Sequence, residues 1–359
     1  MSRARGLALA GGLAGAVALG VAGGLTAERR TVRGPRSRPD PTVRELASAT
    51  PAQRSSTVRS DDGVELLVEE VGPADAPLTV VFCHGYTLEM ACWHFQRRDL
   101  GDLGRLVFWD QRSHGRSGPS AAERCTIDQL GSDLERVLDT CAPTGPVVLV
   151  GHSMGGMTVM ALADRRPDLF ADGGRVVGTA LISTSSGQLA QATLGVPAFL
   201  GGFLTKVNPR VFIGVGHRAR FVDRGRLRGR GSDLSWSLSR RFSFGRHSDV
   251  SPGVVDLMER MVAATPVEVM AAFLPAFLSH DKLAALAALT STSVLVLVGD
   301  EDLLTPVRHS QATADALPDA ELVVLPGAGH MVILERPQLV NLYLRALVSR
   351  ALVRVADAA

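Results

Sequence analysis

Apolar residues recur in short continuous runs from about residue 57 onward. The runs consist mainly of Val, Leu and Ile without strict alternation, which is typical of strands buried on both faces of a parallel sheet. The predicted strands are Val64–Val71, Leu78–Cys83, Leu106–Trp109, Val147–Val150, Val176–Ile182, Val294–Val298 and Leu322–Leu325. Apolar residues at helical spacing predict helices over Ile127–Leu138, Met154–Leu162 and Pro337–Leu352. This alternation of strands and helices predicts a doubly wound α/β sheet.

One connection between these elements is too long to be a loop. No convincing strand occurs between Ser183 and Thr290, so an inserted and mostly helical cap is predicted over 184–290. The core then comprises residues 57–183 and 291–359. The cap is expected above the carboxyl ends of the strands, where ligands of such sheets bind.

An uncharged stretch of Gly, Ala and Leu, residues 6–27, precedes the core. It is long enough to cross about 30 Å of hydrocarbon as a helix, so it predicts a membrane anchor, a cleaved signal peptide or a flexible tail. The protein is therefore expected to be membrane-associated or exported. The arginines that follow favour a cytoplasmic core if the segment is an anchor. Residues 28–56 are rich in Arg, Pro, Ser and Thr and predict a flexible linker.

The overall composition is that of a folded protein with one large core. The chain has 359 residues, 46% hydrophobic, and its net charge of +2 gives no sign of nucleic-acid binding. Residues 206–246 differ locally, with eleven Lys or Arg against two acidic residues. This basic part is either a solvated face or a surface that rests on anionic lipid. Failure of a chain lacking residues 1–56 to float with anionic vesicles would exclude the lipid contact.

The four cysteines do not form a metal-binding pattern. None is part of a Cys-x-x-Cys pair, which argues against a structural zinc site. Cys83 lies in an apolar run and is expected to be a buried thiol. Disulfides stay possible for Cys83, Cys92, Cys125 and Cys141 if the domain is exported.

The clearest chemical signal is a Gly-x-Ser-x-Gly motif centred on Ser153. It directly follows the run Val147–Val150 and directly precedes a helical run, which is the setting of a nucleophile elbow. Gly151 and Gly155 remove side chains where neighbouring backbone must pass closely. The serine oxygen would stand at a helix N-terminus, whose dipole favours developing negative charge. Ser153 is the candidate nucleophile, and the alternative is a Gly-rich turn with an idle serine.

A serine nucleophile needs a base, and the base needs an acid that orients it. Asp300 and Asp302 follow the run Val294–Val298, and we favour Asp302 as the acid with Asp300 as its rival. An irregular Pro/Gly loop after the last run delivers His330, the favoured base. The other histidines are weaker candidates, and His309 is expected to face solvent. The order Ser, Asp, His is the order expected for this kind of fold.

Backbone N–H groups are expected to stabilise an oxyanion in the same site. His84 and Gly85 follow the run that ends at Cys83, and this pair lets the next backbone N–H turn toward the site. The predicted oxyanion donors are therefore the N–H groups of Tyr86 and Met154.

Two neighbouring loops are expected to support the site. Asp110 and Arg112 follow the run Leu106–Trp109, and we expect them to pair and fix a structural turn beside the site. Beyond the acid, Thr305 is expected to cap a helix whose first residue is Pro306.

Taken in order, these motifs resemble the α/β-hydrolase superfamily, in its branch of esterases, lipases and peroxidase-like hydrolases. The resemblance covers about residues 57–350. Its motifs are His84-Gly85, Asp110-x-Arg112-x-His114-Gly115-x-Ser117, Gly151-His152-Ser153-Met154-Gly155-Gly156, Gly299-Asp300-Glu301-Asp302 with Thr305-Pro306, and Gly329-His330. The resemblance implies a mainly parallel sheet of about eight strands, a cap before the acid-bearing strand, and no cofactor. Carried over by position, it implies Ser153 as nucleophile, Asp302 as acid and His330 as base.

The chain departs from the commonest family pattern at Ser113, where a glycine more often follows the arginine. Haloalkane dehalogenases and epoxide hydrolases resemble this pattern but use an aspartate nucleophile, so Ser153 argues against both. The predicted function is hydrolysis of a lipophilic carboxylic ester, with a small ester or a lipid as substrate. The same residues would also suit an acyltransferase or a cofactor-free perhydrolase. A catalytically silent fold that binds a partner is the alternative from another class.

Overall fold

One mixed sheet of eight strands organises the protein. The computed structural model describes residues 40–48, 50–189 and 233–358. The strands are β1 Arg54–Arg59, β2 Glu65–Val71, β3 Thr79–Cys83, β4 Arg105–Trp109, β5 Val147–His152, β6 Val176–Ile182, β7 Ser293–Gly299 and β8 Glu321–Leu325. Their order in the sheet is β1-β2-β4-β3-β5-β6-β7-β8, in which β1 and β2 are antiparallel to their neighbours and all other pairs are parallel. The predicted α/β sheet of about eight strands is confirmed.

Helices cover both faces of this sheet. The α-helices of the described residues are α1 Pro41–Ala47, α2 His94–Asp99, α3 Ile127–Cys141, α4 Met154–Arg165, α5 Asp233–Ser243, α6 Pro252–Ala264, α7 Val267–Leu278, α8 Val307–Asp315, α9 Val332–Glu335 and α10 Pro337–Ala358.

The sheet has a separate hydrophobic core on each face. On β3, Val80 and Phe82 pack into the core that includes α10, whereas Val81 and Cys83 pack into the core that includes α3 and α4. Both faces are therefore buried, which explains why the strand sequences are continuously apolar. All four cysteines belong to the described residues; each is buried and none is in a disulfide. Burial raises the pKa of Cys83 to about 12, so this thiol is inert at neutral pH.

The sequence pattern did not reveal β1. Only Val58 of this strand is buried, because β1 is the edge strand and pairs with β2 alone. An edge strand that buries one side chain has no apolar run to detect. The predicted flexible linker, residues 28–56, also differs in its described part. It contains α1, which Asp40 caps by accepting a hydrogen bond from the N–H of Thr42, and it contains the start of β1.

The long connection between β6 and β7 is called here the insertion (residues 183–292). Its described part contains α5, α6 and α7, a 3₁₀ helix over Ala284–Ser291, and one isolated bridge between Gly187 and Asp281. The described residues of the insertion are thus mainly helical, and the predicted cap limits at 184 and 290 stay a prediction.

The segments predicted to contact a membrane lie largely outside the described residues. Residues 6–27 and most of the basic stretch, 206–232, are outside the described residues, so both membrane hypotheses stay predictions. Within the described ranges, no single helix has the length and apolar character to cross a membrane, and only the pair α6 and α7, bent by 92°, meets those criteria together.

The carboxyl ends of the parallel strands form the edge of the sheet that concerns function. Every non-glycine residue of the described ranges with a positive φ lies in a loop after one of strands β3 to β6: Thr87, Ser113, Ser153, Ser183 and Gln188. Such backbone angles are strained for residues with a side chain and concentrate at functional sites. The strain therefore marks this edge as the place for the site.

Candidate active site

Ser153 occupies a sharp turn between β5 and α4. Its backbone angles, φ 53° and ψ −119°, are strained for a serine, and its N–H donates to the carbonyl of Ile182 at the end of β6, 2.9 Å away. The turn is close-packed: a Cβ on Gly151 would lie 2.5 Å from the carbonyl oxygen of Gly155, and a Cβ on Gly155 would lie 2.0 Å from that of Cys83. Glycine is required at both positions because backbone occupies the space that a side chain would need. The sequence context predicted this turn.

The tertiary structure brings Ser153, His330 and Asp302 into one hydrogen-bonded chain. Ser153 Oγ lies 3.0 Å from His330 Nε2, and His330 Nδ1 lies 2.9 Å from Asp302 Oδ2 and 3.1 Å from Oδ1. Because an ionised carboxylate only accepts hydrogen bonds, Nδ1 carries the imidazole proton. Nε2 then presents a lone pair to the serine hydroxyl. Asp302 and His330 are buried, whereas Ser153 is partly accessible.

Local donors hold the Asp302 carboxylate. Oδ1 accepts from the N–H groups of Leu304 at 2.9 Å and Thr305 at 2.8 Å, and Oδ2 accepts from the Thr305 hydroxyl at 2.8 Å. Burial alone would raise the pKa of Asp302, but the neighbouring imidazole of His330 and the hydrogen bonds from His330 and Thr305 lower it below its ordinary value. The carboxylate is therefore ionised at neutral pH.

The rival acid, Asp300, lies apart from the imidazole. Its Oδ1 accepts from the N–H of Gly327 at 2.7 Å, so it fastens the loop that follows β8. The prediction for Thr305 and Pro306 was wrong by one residue, because α8 begins at Val307 and Pro306 is its cap residue. The Thr305 hydroxyl donates to Asp302 and does not cap the helix.

The loop after β3 is oriented by His84. His84 Nε2 accepts from the N–H of Gln111 at 2.9 Å, so Nδ1 carries the proton and donates to the carbonyl of Gly85 at 2.8 Å. In a trans peptide the N–H points opposite to the C=O, so the N–H of Tyr86 points away from the His84 ring. Gly85 also lies directly against Ser153, since a Cβ there would be 3.2 Å from Ser153 Cβ.

Met154 supplies the second predicted donor. It is the first residue of α4, where backbone N–H groups have no acceptor within the helix. Its side chain is buried next to that of Met157 in a third apolar cluster.

Asp110 and Arg112 do not pair with each other, which corrects that prediction. The Asp110 carboxylate accepts from the N–H of Met90 at 2.7 Å and of Arg116 at 2.8 Å. Burial raises the pKa of Asp110, although these hydrogen bonds oppose the rise. Asp110 therefore fixes its own loop and the start of the next segment through backbone donors.

Arg112 is a buried structural residue. Its guanidinium is fully inaccessible and binds the carboxylate of Asp133 on α3, with Nε 2.6 Å from Oδ2. It also binds Asp62 in the turn between β1 and β2, with Nη1 2.7 Å from Oδ2. Two bidentate partners satisfy its donors, so Arg112 anchors the loop after β4 to α3 and to the turn between β1 and β2. Both acids lie too far along the chain for sequence spacing to identify them.

The structure shows how a serine is accommodated at Ser113, where the commonest family pattern has glycine. It adopts φ 61°, a left-handed conformation in which glycine carries no strain. Its Oγ accepts from the N–H of Ser120 at 2.8 Å, and this bond closes the loop. The serine thus fills a glycine position and stabilises the loop from within.

Two other histidines are buried near the site. His309 was predicted to face solvent, but it is 6% exposed and its Nδ1 lies 2.9 Å from the hydroxyl of Ser185. The prediction was wrong because the insertion covers this face of α8. His152, next to the nucleophile, has its Nε2 2.9 Å from the carbonyl oxygen of His330. Burial, together with the nearby His330, lowers the pKa of His152 to about 3, so it is neutral and donates to that carbonyl.

Residues of α7 pack against Tyr86. The Tyr86 hydroxyl donates to the carbonyl of Met270 at 2.7 Å, and its ring packs edge-on against Phe277 with centroids 4.9 Å apart. Phe273 is fully buried in the same cluster as Met154. The described neighbours of Tyr86 are therefore mainly aromatic, and they include the ring of His114, whose centroid lies 6.1 Å from that of Tyr86.

The sequence pattern did not reveal three contacts that support these groups. The Thr305 hydroxyl binds Asp302, His152 binds the carbonyl of His330, and Glu335 binds the loop that precedes His330. Glu335 accepts from the N–H of Gly329 at 2.7 Å. The only signal available was a carboxylate within an otherwise apolar turn soon after His330. The resulting arrangement can deprotonate a hydroxyl and pass the proton to a leaving group, because an imidazole links the serine to a buried carboxylate.

Comparison with known proteins places these features in a family. A family model described as the alpha/beta hydrolase family matches residues 80–341. The lipase LipV of Mycobacterium tuberculosis is 41% identical over 108 residues, which span 30% of this chain but only 40% of that protein. A non-heme haloperoxidase of Rhodococcus erythropolis is 27% identical over 282 residues, or 76% of this chain and 92% of that protein. The solved structure of a thermophilic esterase from Thermogutta terrifontis is similar with a TM-score of 0.61 and 25% identity, and the match covers 83% of this chain and 99% of the esterase.

Proposed function

Since the chain belongs to the alpha/beta hydrolase family, we propose that it is a serine hydrolase that cleaves a lipophilic carboxylic ester through an acyl-enzyme intermediate. One observation carries the proposal: Ser153 Oγ is 3.0 Å from His330 Nε2, and the Nδ1 of that imidazole is 2.9 Å from the buried carboxylate of Asp302. This is the geometry that an activated serine requires, with a base in contact with the nucleophile and an acid in contact with the base.

In the proposed mechanism, His330 Nε2 takes the hydroxyl proton of Ser153 while Oγ bonds to the ester carbonyl carbon. The carbonyl oxygen becomes an oxyanion, and the N–H groups of Tyr86 and Met154 donate to it. The C–O bond to the alcohol then breaks, and His330 gives its proton to the leaving oxygen. Water attacks the acyl-enzyme with His330 again as base, which releases the carboxylic acid and restores Ser153. Asp302 holds the imidazole in the tautomer that both steps need.

The apolar surroundings support a lipophilic substrate. Tyr86 and Phe277 are partly accessible aromatic side chains in contact with each other, and Phe273, Met154 and Met157 are buried in the same cluster. Burial of an acyl or alcohol chain against such side chains contributes roughly 0.8 kcal/mol per methylene group. We therefore expect p-nitrophenyl esters of longer acids to give a lower KM than the acetate.

Labelling with a fluorophosphonate probe tests the proposal. We expect the folded wild type to be labelled, peptide mapping to find the probe on Ser153, and both Ser153→Ala and His330→Ala to lose labelling. Heat-denatured wild type is the control for non-specific attachment. A folded wild type that does not react would refute the serine-hydrolase proposal and favour a silent binding protein. If the wild type is labelled, product analysis with an added alcohol or peroxide separates hydrolysis from acyl transfer and perhydrolysis.

A further inference from the structure

Glu335, the last residue of α9, carries a buried carboxylate that joins two distant segments. Its Oε2 accepts from the N–H of Gly329 at 2.7 Å, and Gly329 directly precedes His330. The N–H of Gly245, just after α5 in the insertion, lies 3.0 Å from Oε1 and 3.2 Å from Oε2. One carboxylate therefore binds the backbone next to His330 and the backbone of the insertion.

These two segments are in direct backbone contact. A Cβ on Gly245 would lie 2.1 Å from the carbonyl oxygen of Gly327, and a Cβ on Gly329 would lie 2.4 Å from the carbonyl carbon of Phe244. Neither glycine can carry a side chain, so the loops meet through backbone at these two positions. The polar contacts from Glu335 add to the packing of Phe244 and Met331, which lie in one buried apolar cluster.

Further hydrogen bonds run beside this contact. The N–H of Met331, on the other side of the proposed base, donates to the carbonyl of Ser243 at 2.7 Å. Arg240 closes the turn after α5 by donating to the carbonyl of Gly245 at 2.7 Å. The end of α5 thus lies over the loop of the proposed base, and Glu335 is the carboxylate between them.

We propose that Glu335 is a positioning residue for His330, which fixes the backbone of the base and fastens the insertion to it. This inference rests on the proposed function, in which His330 is the base. A carboxylate suits the task because both of its oxygens only accept, and charge-assisted bonds to N–H groups are short and strong. His152 holds the carbonyl of His330, so hydrogen bonds restrain the backbone both at His330 and at the residue before it.

Glutamine at this position would fail for a specific reason. If its amide oxygen takes the Oε2 position, it keeps the bond to Gly329 and the longer contact to Gly245, at 3.2 Å. The amide nitrogen then replaces Oε1, so two donors meet where the shorter Gly245 bond was, 3.0 Å apart. The side-chain volume is unchanged, so Glu335→Gln alters hydrogen bonding without creating a cavity. Glu335→Ala removes all three contacts.

The matched control is Glu135→Gln. Glu135 on α3 is also a poorly exposed carboxylate, and it pairs with Arg165 and Arg166 instead of with the loop of His330. Hydrogen–deuterium exchange of the peptide covering 326–331 is measured first, because it needs no catalysis. We expect exchange about 10-fold faster or more in Glu335→Gln and unchanged exchange in Glu135→Gln.

Ester hydrolysis and fluorophosphonate labelling are then measured on the same proteins. We expect Glu335→Gln to lower kcat about 10- to 100-fold with little change in KM, because misplacing the base affects the chemical step more than binding. Glu335→Ala should be at least as impaired, and the glutamine variant carries the test if the alanine variant unfolds.

Unchanged exchange in Glu335→Gln would overturn the proposal. So would faster exchange with wild-type kcat, since Glu335 would then be only structural. Failure of the proposed function has a different signature, namely a folded wild type that neither labels nor hydrolyses esters. In that case the exchange result still decides whether Glu335 holds the loop.

Discussion

Replacement of Asp302 by asparagine tests the proposed tautomer of the base. Asp302 accepts from two backbone N–H groups at Oδ1 and from the Thr305 hydroxyl at Oδ2. The imidazole lies nearer to Oδ2, at 2.9 Å, than to Oδ1, at 3.1 Å. Backbone N–H groups cannot turn into acceptors, so the amide oxygen of asparagine must occupy the Oδ1 position. The amide N–H₂ then faces Thr305 and His330. The hydroxyl can rotate to accept, but His330 Nδ1 can accept only if the imidazole proton moves to Nε2.

An imidazole protonated at Nε2 cannot take the proton of Ser153. We therefore expect Asp302→Asn to lower kcat for ester hydrolysis by about 10⁴-fold, the effect of the wrong tautomer in serine hydrolases of this type. That loss corresponds to about 5 kcal/mol of transition-state stabilisation. Denaturant unfolding of the variant must show a cooperative transition, so that the loss is assigned to chemistry and not to the fold.

Asp300→Asn is the matched control. The carbonyl of asparagine can still accept from the N–H of Gly327, so we expect kcat within about threefold of the wild type. Asp302→Asn with activity within about 10-fold of the wild type would refute the tautomer reasoning. A large loss in Asp300→Asn alone would identify Asp300 as the acid.

Two further predictions concern stability. Burial lowers the pKa values of three histidines, to about 4 in one and about 3 in two, far below the 6.5 of an unfolded chain: His84, His114 and His152. Because only the unfolded state binds these protons, the free energy of unfolding should fall as the pH drops below about 6.5. The fall is up to about 4 kcal/mol per pH unit for the three histidines together. Equal stability toward urea at about pH 7.5 and about pH 5 would contradict this prediction. A Cβ on Gly155 would meet backbone 2.0 Å away at Cys83, so Gly155→Ala should cost about 3 kcal/mol or more by denaturant unfolding. The control is Gly101→Ala, where the added Cβ would have no atom within 4 Å, so the free energy of unfolding should change by less than about 0.5 kcal/mol. Equal effects of the two substitutions would show that the close contact at Gly155 does not determine stability.

The sequence predicted those features of the structure that depend mainly on residues near one another in the chain. The run Val147–Val150, the glycines around Ser153 and the helical run after it predict the strand, the turn and the helix that the structure contains. The same holds for Asp302 and His330, each of which follows a buried strand. Because parallel strands end at one edge, residues that follow them are expected near one another even when they are far apart in the chain.

The sequence by itself therefore determined the fold class, the parallel core of the sheet and the three residues that the structure brings together. It did not determine β1, because an edge strand that buries only Val58 has no apolar run. The sequence also did not reveal that His309 is buried, since what covers a helix depends on the segment packed against it.

Only the tertiary structure decided the polar partners. Arg112 pairs with Asp62 and Asp133, which lie 50 and 21 residues away, and not with the nearby Asp110. Glu335 reaches Gly245 across 90 residues of chain. A hydrogen bond depends on atoms within about 3 Å, and the chain brings such atoms together only after the sheet and the insertion have packed. Hydrophobic periodicity specifies which faces are buried, whereas the pairing of buried donors and acceptors is settled by the packed geometry of the whole molecule.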